Sequence, residues 1–479
     1  MKKTMFLLFA LLYLCASSCS KTDSSVKYND FYSYLSKKPI NGTRLHKQKV
    51  LWRHWDVKVN PDYTAAEGEY KIVEQKYDAI VLENDYIAVT LLPGYGGRMI
   101  SCYNKSTGHE QLYQNPVGTP FAFGAGSFYY DWLLVYGGLF PTFPEPEHGK
   151  TWLVPWKYEI TENSSERVSV QMSYTDDKTY ETGIPQKFNN KATGITCIVT
   201  YRLEKGSTTA RMDISLVNNG DNKADYEYWT CITFAPGSTP GDTKTTADAR
   251  IVSAQDNVIV DISPSGSGDY DKVVSMDKYD DFTEWEYQGI LYAHPKMSHD
   301  WYGVLNRGNN EAFIRVADNS ITKGLKMWTW GYEQSISVNE DNSFLTGARP
   351  YIELWSGVTD RFFKKQTLGP GESLSWSEFY YSTAGLDDFT YACENGALFV
   401  NTEKKNDKTV KEIKIFMTQP DKKYRLAVET DNNEIISHEF VQQSDKAESI
   451  TVEVANDKNS TIRIYQNNKV QLVYDEGAS

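Results

Sequence analysis

The chain has 479 residues, more than one hydrophobic core usually holds, so two domains are expected. Its formal net charge of −13 argues against nucleic acid or an anionic membrane surface as a ligand, since both would be repelled, and leaves a neutral ligand as the better fit. An aromatic fraction of 14 %, with 33 Tyr and 12 Trp, supplies flat rings with a polar handle, which suit a sugar cleft as well as the packing of a β-sandwich.

Lys2 and Lys3 open the chain with positive charge, and Phe6 to Leu14 form an apolar run too short to span a bilayer. Residues 1–18 therefore read as a signal peptide. Ala16, Ser17 and Ser18 stand directly before Cys19 and resemble a bacterial lipobox, in which the cysteine thiol is lipidated and becomes the mature N-terminus. Residues 19–48 are then a lipidated tether and lead-in, with the polar stretch Ser20 to Asn29 flexible. No later segment approaches the roughly 20 apolar residues of a membrane-spanning helix. The expected location is the cell envelope, at the periplasmic or surface face of the outer membrane, with the anchor as the only membrane contact.

From about residue 50 onward, runs with a period of two dominate. Ala79 to Leu82, Tyr86 to Leu92, Val168 to Tyr174, Ile198 to Leu203 and Arg211 to Val217 each alternate like half-buried strands and are bounded by Gly, Asn, Asp or Pro. The class is all-β. A boundary falls near Leu386, where the tryptophans stop and Lys, Asp and Asn become dense, which divides the folded part into 49–385 and 386–479. Seven short runs between Ala397 and Tyr474 suggest a small immunoglobulin-like sandwich in the second part. Cys102, Cys197, Cys231 and Cys393 lack the spacing of a metal site, and most read as buried thiols.

Three segments of the larger part could carry chemistry. In Leu91-Leu-Pro-Gly-Tyr-Gly-Gly-Arg-Met-Ile100 a strand and a glycine turn lead into Arg98, whose guanidinium can face a cleft or lie exposed on a hairpin. No helix pattern follows these glycines, so they are not a phosphate loop. The second segment, Phe128 to Trp132 and Gly137 to Trp152, reads as a loop because of its prolines and glycines. His148 there can donate to a sugar oxygen or exchange a proton, and Asp131, Glu145 and Glu147 can hold sugar hydroxyls or a cation. The third joins Gly324-Leu-Lys-Met-Trp-Thr-Trp-Gly331 to Tyr351-Ile-Glu-Leu-Trp355, where Glu353 shares a strand face with Tyr351 and Trp355. Burial among rings would push such a carboxyl toward general acid or base use.

Tyr351-Ile-Glu-Leu-Trp-Ser-Gly357 with Leu368-Gly-Pro-Gly-Glu372 resembles the end of aldose 1-epimerase domains. Glu83 to Arg98 resembles their first hairpin, and His148-Gly149 with Trp152 their histidine-glycine loop. Over roughly residues 75 to 385 the chain looks like an exported bacterial branch of the galactose-mutarotase-like superfamily. That likeness implies a β-supersandwich with a sugar cleft, Glu353 at the catalytic base position and His148 as a sugar-binding histidine. It also exposes a departure. Mutarotases carry a second histidine, the general acid, in the strand after an Asn-x-Gly turn, whereas Asn218-Asn-Gly220 here precedes Tyr226-Glu-Tyr-Trp-Thr-Cys-Ile232 with no histidine.

The resulting expectation is a protein that binds and processes a mono- or oligosaccharide, with Glu353 and His148 catalytic and Arg98, Asp131, Glu145, Glu147, Trp330 and Trp355 binding the sugar. No cofactor, metal or nucleic acid is expected. Three classes compete: an epimerase that needs an acid, a hydrolase or lyase pairing Glu353 with Asp131, Glu145 or Glu147, and a glycan-binding protein without catalysis.

Overall fold

A computed structural model describes residues 31–56, 71–118, 137–146, 149–151, 154–177, 179, 191–266, 268–332, 349–405, 408–431, 433–455 and 459–477. Two large, mostly antiparallel sheets form the larger part. The first has 13 strands, and its centre runs in the order Gly289–Ala293, Gly324–Thr329, Ile352–Gly357, Trp229–Ser238, His109–Leu112 and Arg98–Asn104. The second has 8 strands, with Glu311–Val316, Ser373–Ala384, Thr209–Asn218 and Ile195–Glu204 at its middle.

Alternation explains the second sheet. In Ile195–Glu204 the residues Ile195, Cys197, Val199, Tyr201 and Leu203 are buried while those between them are half-buried, so one face meets the core and the other meets solvent. Ile352–Gly357 and Gly324–Thr329 of the first sheet are instead buried at every position, as is Trp301–Asn306 at the far side of the second. Ile352, Leu354, Leu325, Met327, Ile232 and Phe234 meet Met212, Ile214, Val199 and Tyr380 in one core between the sheets. Each such side chain contributes about 1.5–3 kcal/mol by leaving water. The opposite face of the 13-stranded sheet is covered as well, and the candidate site lies there.

All the early strand runs are strands, as are the seven runs of the C-terminal part, which an added strand, Tyr391–Cys393, completes into two four-stranded sheets. Leu398, Ile413, Ile415, Leu426, Val428, Ile462 and Ile464 fill the space between those sheets. A further cluster crosses the 385/386 position: Trp301, Leu305 and Tyr381 pack with Ala392, Ala397 and Phe416.

Two expectations are corrected. The first strand starts at Arg44, inside the stretch read as tether and lead-in, and Phe31 is buried edge-on against Trp52 at 5.7 Å. A run with few apolar residues gives little period-two signal, yet its backbone pairs with Lys71–Glu83 along its whole length. Within the segment read as a loop, Leu139–Thr142 is a strand paired to Trp229–Ser238. Four residues that include Pro141 carry no readable period, and burial of Leu139 and Phe140 holds them. Cys102, Cys197 and Cys231 are buried free thiols, and Cys393 is a partly buried one.

Candidate functional site

The side-chain period of two decides what faces outward from the 13-stranded sheet. Ile352 and Leu354 enter the inter-sheet core, so Tyr351, Glu353 and Trp355 take the opposite face. The same rule turns Lys326 and Trp328 outward between Leu325 and Met327, and Trp229, Cys231 and Thr233 outward around Ile232. Register brings the rows together: Trp355 pairs with Cys231 and Lys326, and Glu353 with Thr233 and Trp328.

Glu353 is 2 % exposed, and the Trp355 indole N–H donates to its Oε2 at 2.9 Å. The Lys326 ammonium lies over the same indole, 4.7 Å from its centroid, and 4.4 Å from that of Phe362. Phe362 meets Trp355 edge-on at 5.4 Å and Trp229 at 4.8 Å. On the other flank Arg98 stacks over Phe140 at 4.3 Å and donates to the carbonyls of Gly137 at 2.8 Å and Tyr95 at 3.0 Å. It is fully buried, not exposed on a hairpin. Gly97, with φ +61, makes the turn before it, and a Cβ there would meet Trp156 at 2.9 Å. Tyr351 stacks on Tyr113 at 4.3 Å, and Trp328 links it to the half-buried Trp330. Burial, and then the charge of Glu353, holds the Tyr351 hydroxyl well above the usual phenol range.

The structure thus gathers Arg98, Trp330, Glu353 and Trp355 on one face. Glu145 stands elsewhere. Gly138 is level with Thr233, the partner of Glu353, the strand Leu139–Thr142 runs from there to the level of Trp229 and Gly357, and Glu145 lies in the bend beyond it. Its neighbour is Glu227, whose N–H donates to the Pro144 carbonyl at 2.6 Å. Burial, with a smaller contribution from the charge of Glu145, pushes the Glu227 carboxyl up to about 8 against hydrogen bonds from Trp229 Nε1 and the Phe363 N–H. Asp131, Glu147, His148 and Cys19 lie outside the described residues.

Lys326, Phe140, Phe362 and Glu227 escaped the sequence reading. Lys326 had a signal, since it shares the parity of Trp328 and Trp330 in Gly324-Leu-Lys-Met-Trp-Thr-Trp330. Among the described residues, no group of three or more His, Cys, Asp or Glu is placed to hold a metal ion.

Residues 56–191 match a family described as a domain of unknown function, DUF5107. A TPR-domain containing protein from Parabacteroides distasonis is similar in structure, with a TM-score of 0.57 and 17 % identity over 71 % of this chain. The match spans 55 % of that protein's chain. A galactose mutarotase-like protein from Clostridium acetobutylicum aligns over 64 % of this chain and 96 % of its own, with a TM-score of 0.44 and 12 % identity. A galactose mutarotase related enzyme from Lactobacillus acidophilus aligns over 65 % and 100 %, with a TM-score of 0.41 and 12 % identity. These likenesses concern fold and assign no activity. The larger part of this chain is a two-sheet, mostly antiparallel β-sandwich.

Proposed function

We propose that this chain is a lipid-anchored protein of the cell envelope that binds and processes a carbohydrate on the outer face of its larger sheet, with Glu353 as general base or acid. The observation that carries this reading is a buried carboxylate held at 2.9 Å by an indole N–H within a wall of aromatic rings. Rings of this kind pack on the apolar faces of sugars, and a dry carboxylate beside them can exchange a proton with a hydroxyl. The fold likeness to mutarotase-like proteins agrees with a carbohydrate ligand.

The hydrolase alternative fares less well with Glu145. Paired glycosidase carboxyls stand roughly 5 to 9.5 Å apart, whereas the strand leading to Glu145 ends level with Gly357, four residues along the sheet from Glu353, and Glu145 follows in the bend beside Glu227. A sugar-binding protein without catalysis is separated from an enzyme by one substitution. Glu353→Gln keeps shape and most hydrogen bonds but removes the titratable proton. In an enzyme it should lower turnover of a panel of aldoses and plant and host glycans by about a hundredfold or more while leaving affinity nearly intact. Turnover equal to that of the unsubstituted protein would refute the assignment.

A further inference from the structure

The solvent face of the 8-stranded sheet carries a trench where the C-terminal part meets it. A cavity of about 740 Å³ is lined there by Ser377 and Phe379 of the sheet and, from the C-terminal part, by Tyr391 and the run Val470 to Val473. A second, of about 180 Å³, shares Phe379, Glu394 and Asn395 with it, and a third, of about 260 Å³, shares Asp300 and Tyr391, so the three are stretches of one depression. Asp300, Asp318 and Glu394 put three carboxylates into the largest stretch, and no Lys, Arg or His lines it. Acids nearby are paired: Arg202 and Arg211 both reach Asp213, and Lys414 reaches Asp387. Among the described residues, none of the three trench carboxylates has an ion-pair partner. Beside these charges stand apolar groups, with Phe379 and Tyr391 half-buried and Val470 47 % exposed.

Lys469–Asp475 is the last strand of its sheet and pairs on one side only, with Thr461–Gln466. Successive side chains of a strand point to opposite faces, so four consecutive residues line one cavity only where the free edge of the strand borders it. The Gln471 carbonyl at that edge accepts from Asn395 Nδ2 at 3.0 Å, and both residues line the trench. Backbone groups at such an edge are a template for an added strand. The register shift opposite Ile464 and Tyr465 bends this edge, which keeps the added strand short. Trp301, 2 % exposed, lines the adjoining stretch, and its Nε1 has no hydrogen-bond partner among the described residues, which leaves a donor for an incoming carbonyl.

We propose that this trench is a docking site for an extended segment of a partner protein in which Lys or Arg alternates with apolar residues. The segment lies along Val470 to Val473 and bonds to the strand edge through its backbone. An extended chain turns alternate residues to opposite sides, so one set meets Phe379 and Tyr391 while the other brings cations to Asp300, Asp318 and Glu394. A neutral glycan has rings to pack on here but leaves the three charges unbalanced, so a cationic peptide is the better complement. The trench lies on the opposite side of the sandwich from Glu353, which faces outward from the other sheet. Docking is therefore independent of any action on a sugar.

The probes are short, end-blocked peptides of valine alternating with lysine or with arginine, a glutamate counterpart, and a lysine peptide N-methylated at every second residue. Binding to the full chain is read by fluorescence anisotropy at physiological ionic strength. The basic peptides should bind and the glutamate peptide should not, and N-methylation should weaken binding about tenfold by removing backbone donors. Asp300→Asn, Asp318→Asn and Glu394→Gln combined should weaken it about tenfold or more. Asn keeps the acceptors that Asp300 and Asp318 offer to the N–H groups of Asn319 and Ser320, so this variant should melt with the parent. Asp277→Asn, Glu439→Gln and Asp445→Asn combined remove as much charge at exposed positions outside the trench, and should leave binding within about twofold. Equal loss in the two triple variants would mean long-range attraction alone and overturn the proposal. So would failure of both basic peptides to bind, or a benzophenone at the central valine that cross-links only to residues outside the trench. A neutral glycan, or a second copy of the chain, whose binding the trench variant abolishes while the peptides stay unbound would overturn it in favour of that occupant.

Discussion

A carboxyl with the surroundings of Glu227 keeps its proton at neutral pH, and that has a measurable effect on stability. Burial raises it from 4.5 in the unfolded chain to about 8 when folded. Between those values the unfolded chain has released the proton and the folded chain has not, so stability falls as pH rises and the loss is complete above about 8. Glu227→Gln abolishes that dependence. Relative to the parent, the variant should gain on the order of a few kcal/mol between pH 4.5 and pH 8.5, read from denaturant midpoints at both pH values. A constant difference would show that Glu227 ionises normally. Glu353 differs in its neighbours rather than in its depth, since it accepts from the Trp355 indole N–H, a ring that also carries the Lys326 ammonium over its face. The sequence made Glu353 recognisable through its parity with Tyr351 and Trp355. It gave no hint that Glu227 is buried, because what covers Glu227 are Trp229, Phe363 and the Pro144 turn, the last two more than 80 residues away along the chain.

Strands place these residues through close backbone approach, and Gly357 shows how tightly. It ends the strand that carries Glu353, directly beside Trp229, and a Cβ there would lie 2.2 Å from the indole. Trp229 cannot retreat freely, because Phe362 stands edge-on at 4.8 Å and in turn packs on Trp355. Gly357→Ala should therefore cost roughly 1–3 kcal/mol through overpacking and lower the thermal midpoint by a few degrees. It should also weaken sugar binding, because displacement passes through Phe362 to Trp355. An unchanged melting curve by calorimetry would mean that the wall is softer than its packing implies. The glycine was visible in Tyr351-Ile-Glu-Leu-Trp-Ser-Gly357, but its reason was not, since the ring that demands it belongs to another strand.

At the scale of the whole molecule, the proposed anchor has a direct test. Cys19→Ala should turn an exported, membrane-associated protein into an exported, soluble one, read by fractionation and by the loss of fatty-acid label. An unchanged membrane fraction would rule out the anchor. The folded parts are joined more firmly than a composition shift near Leu386 suggests, for Trp301 and Tyr381 share a buried cluster with Ala397 and Phe416. By itself the sequence determined the all-β class and the position of most strands, because alternation is local and each half-buried strand must repeat it. It also determined that Glu353 lies among rings, since parity within one strand is fixed by the pleat. Only the tertiary structure decided which strands stand side by side. That pairing set Lys326 beside Trp355, sent Glu145 to Glu227, and buried Arg98 on Phe140. Sheet register joins residues hundreds of positions apart through backbone hydrogen bonds that every residue type makes alike, so no pattern in a single sequence could announce it.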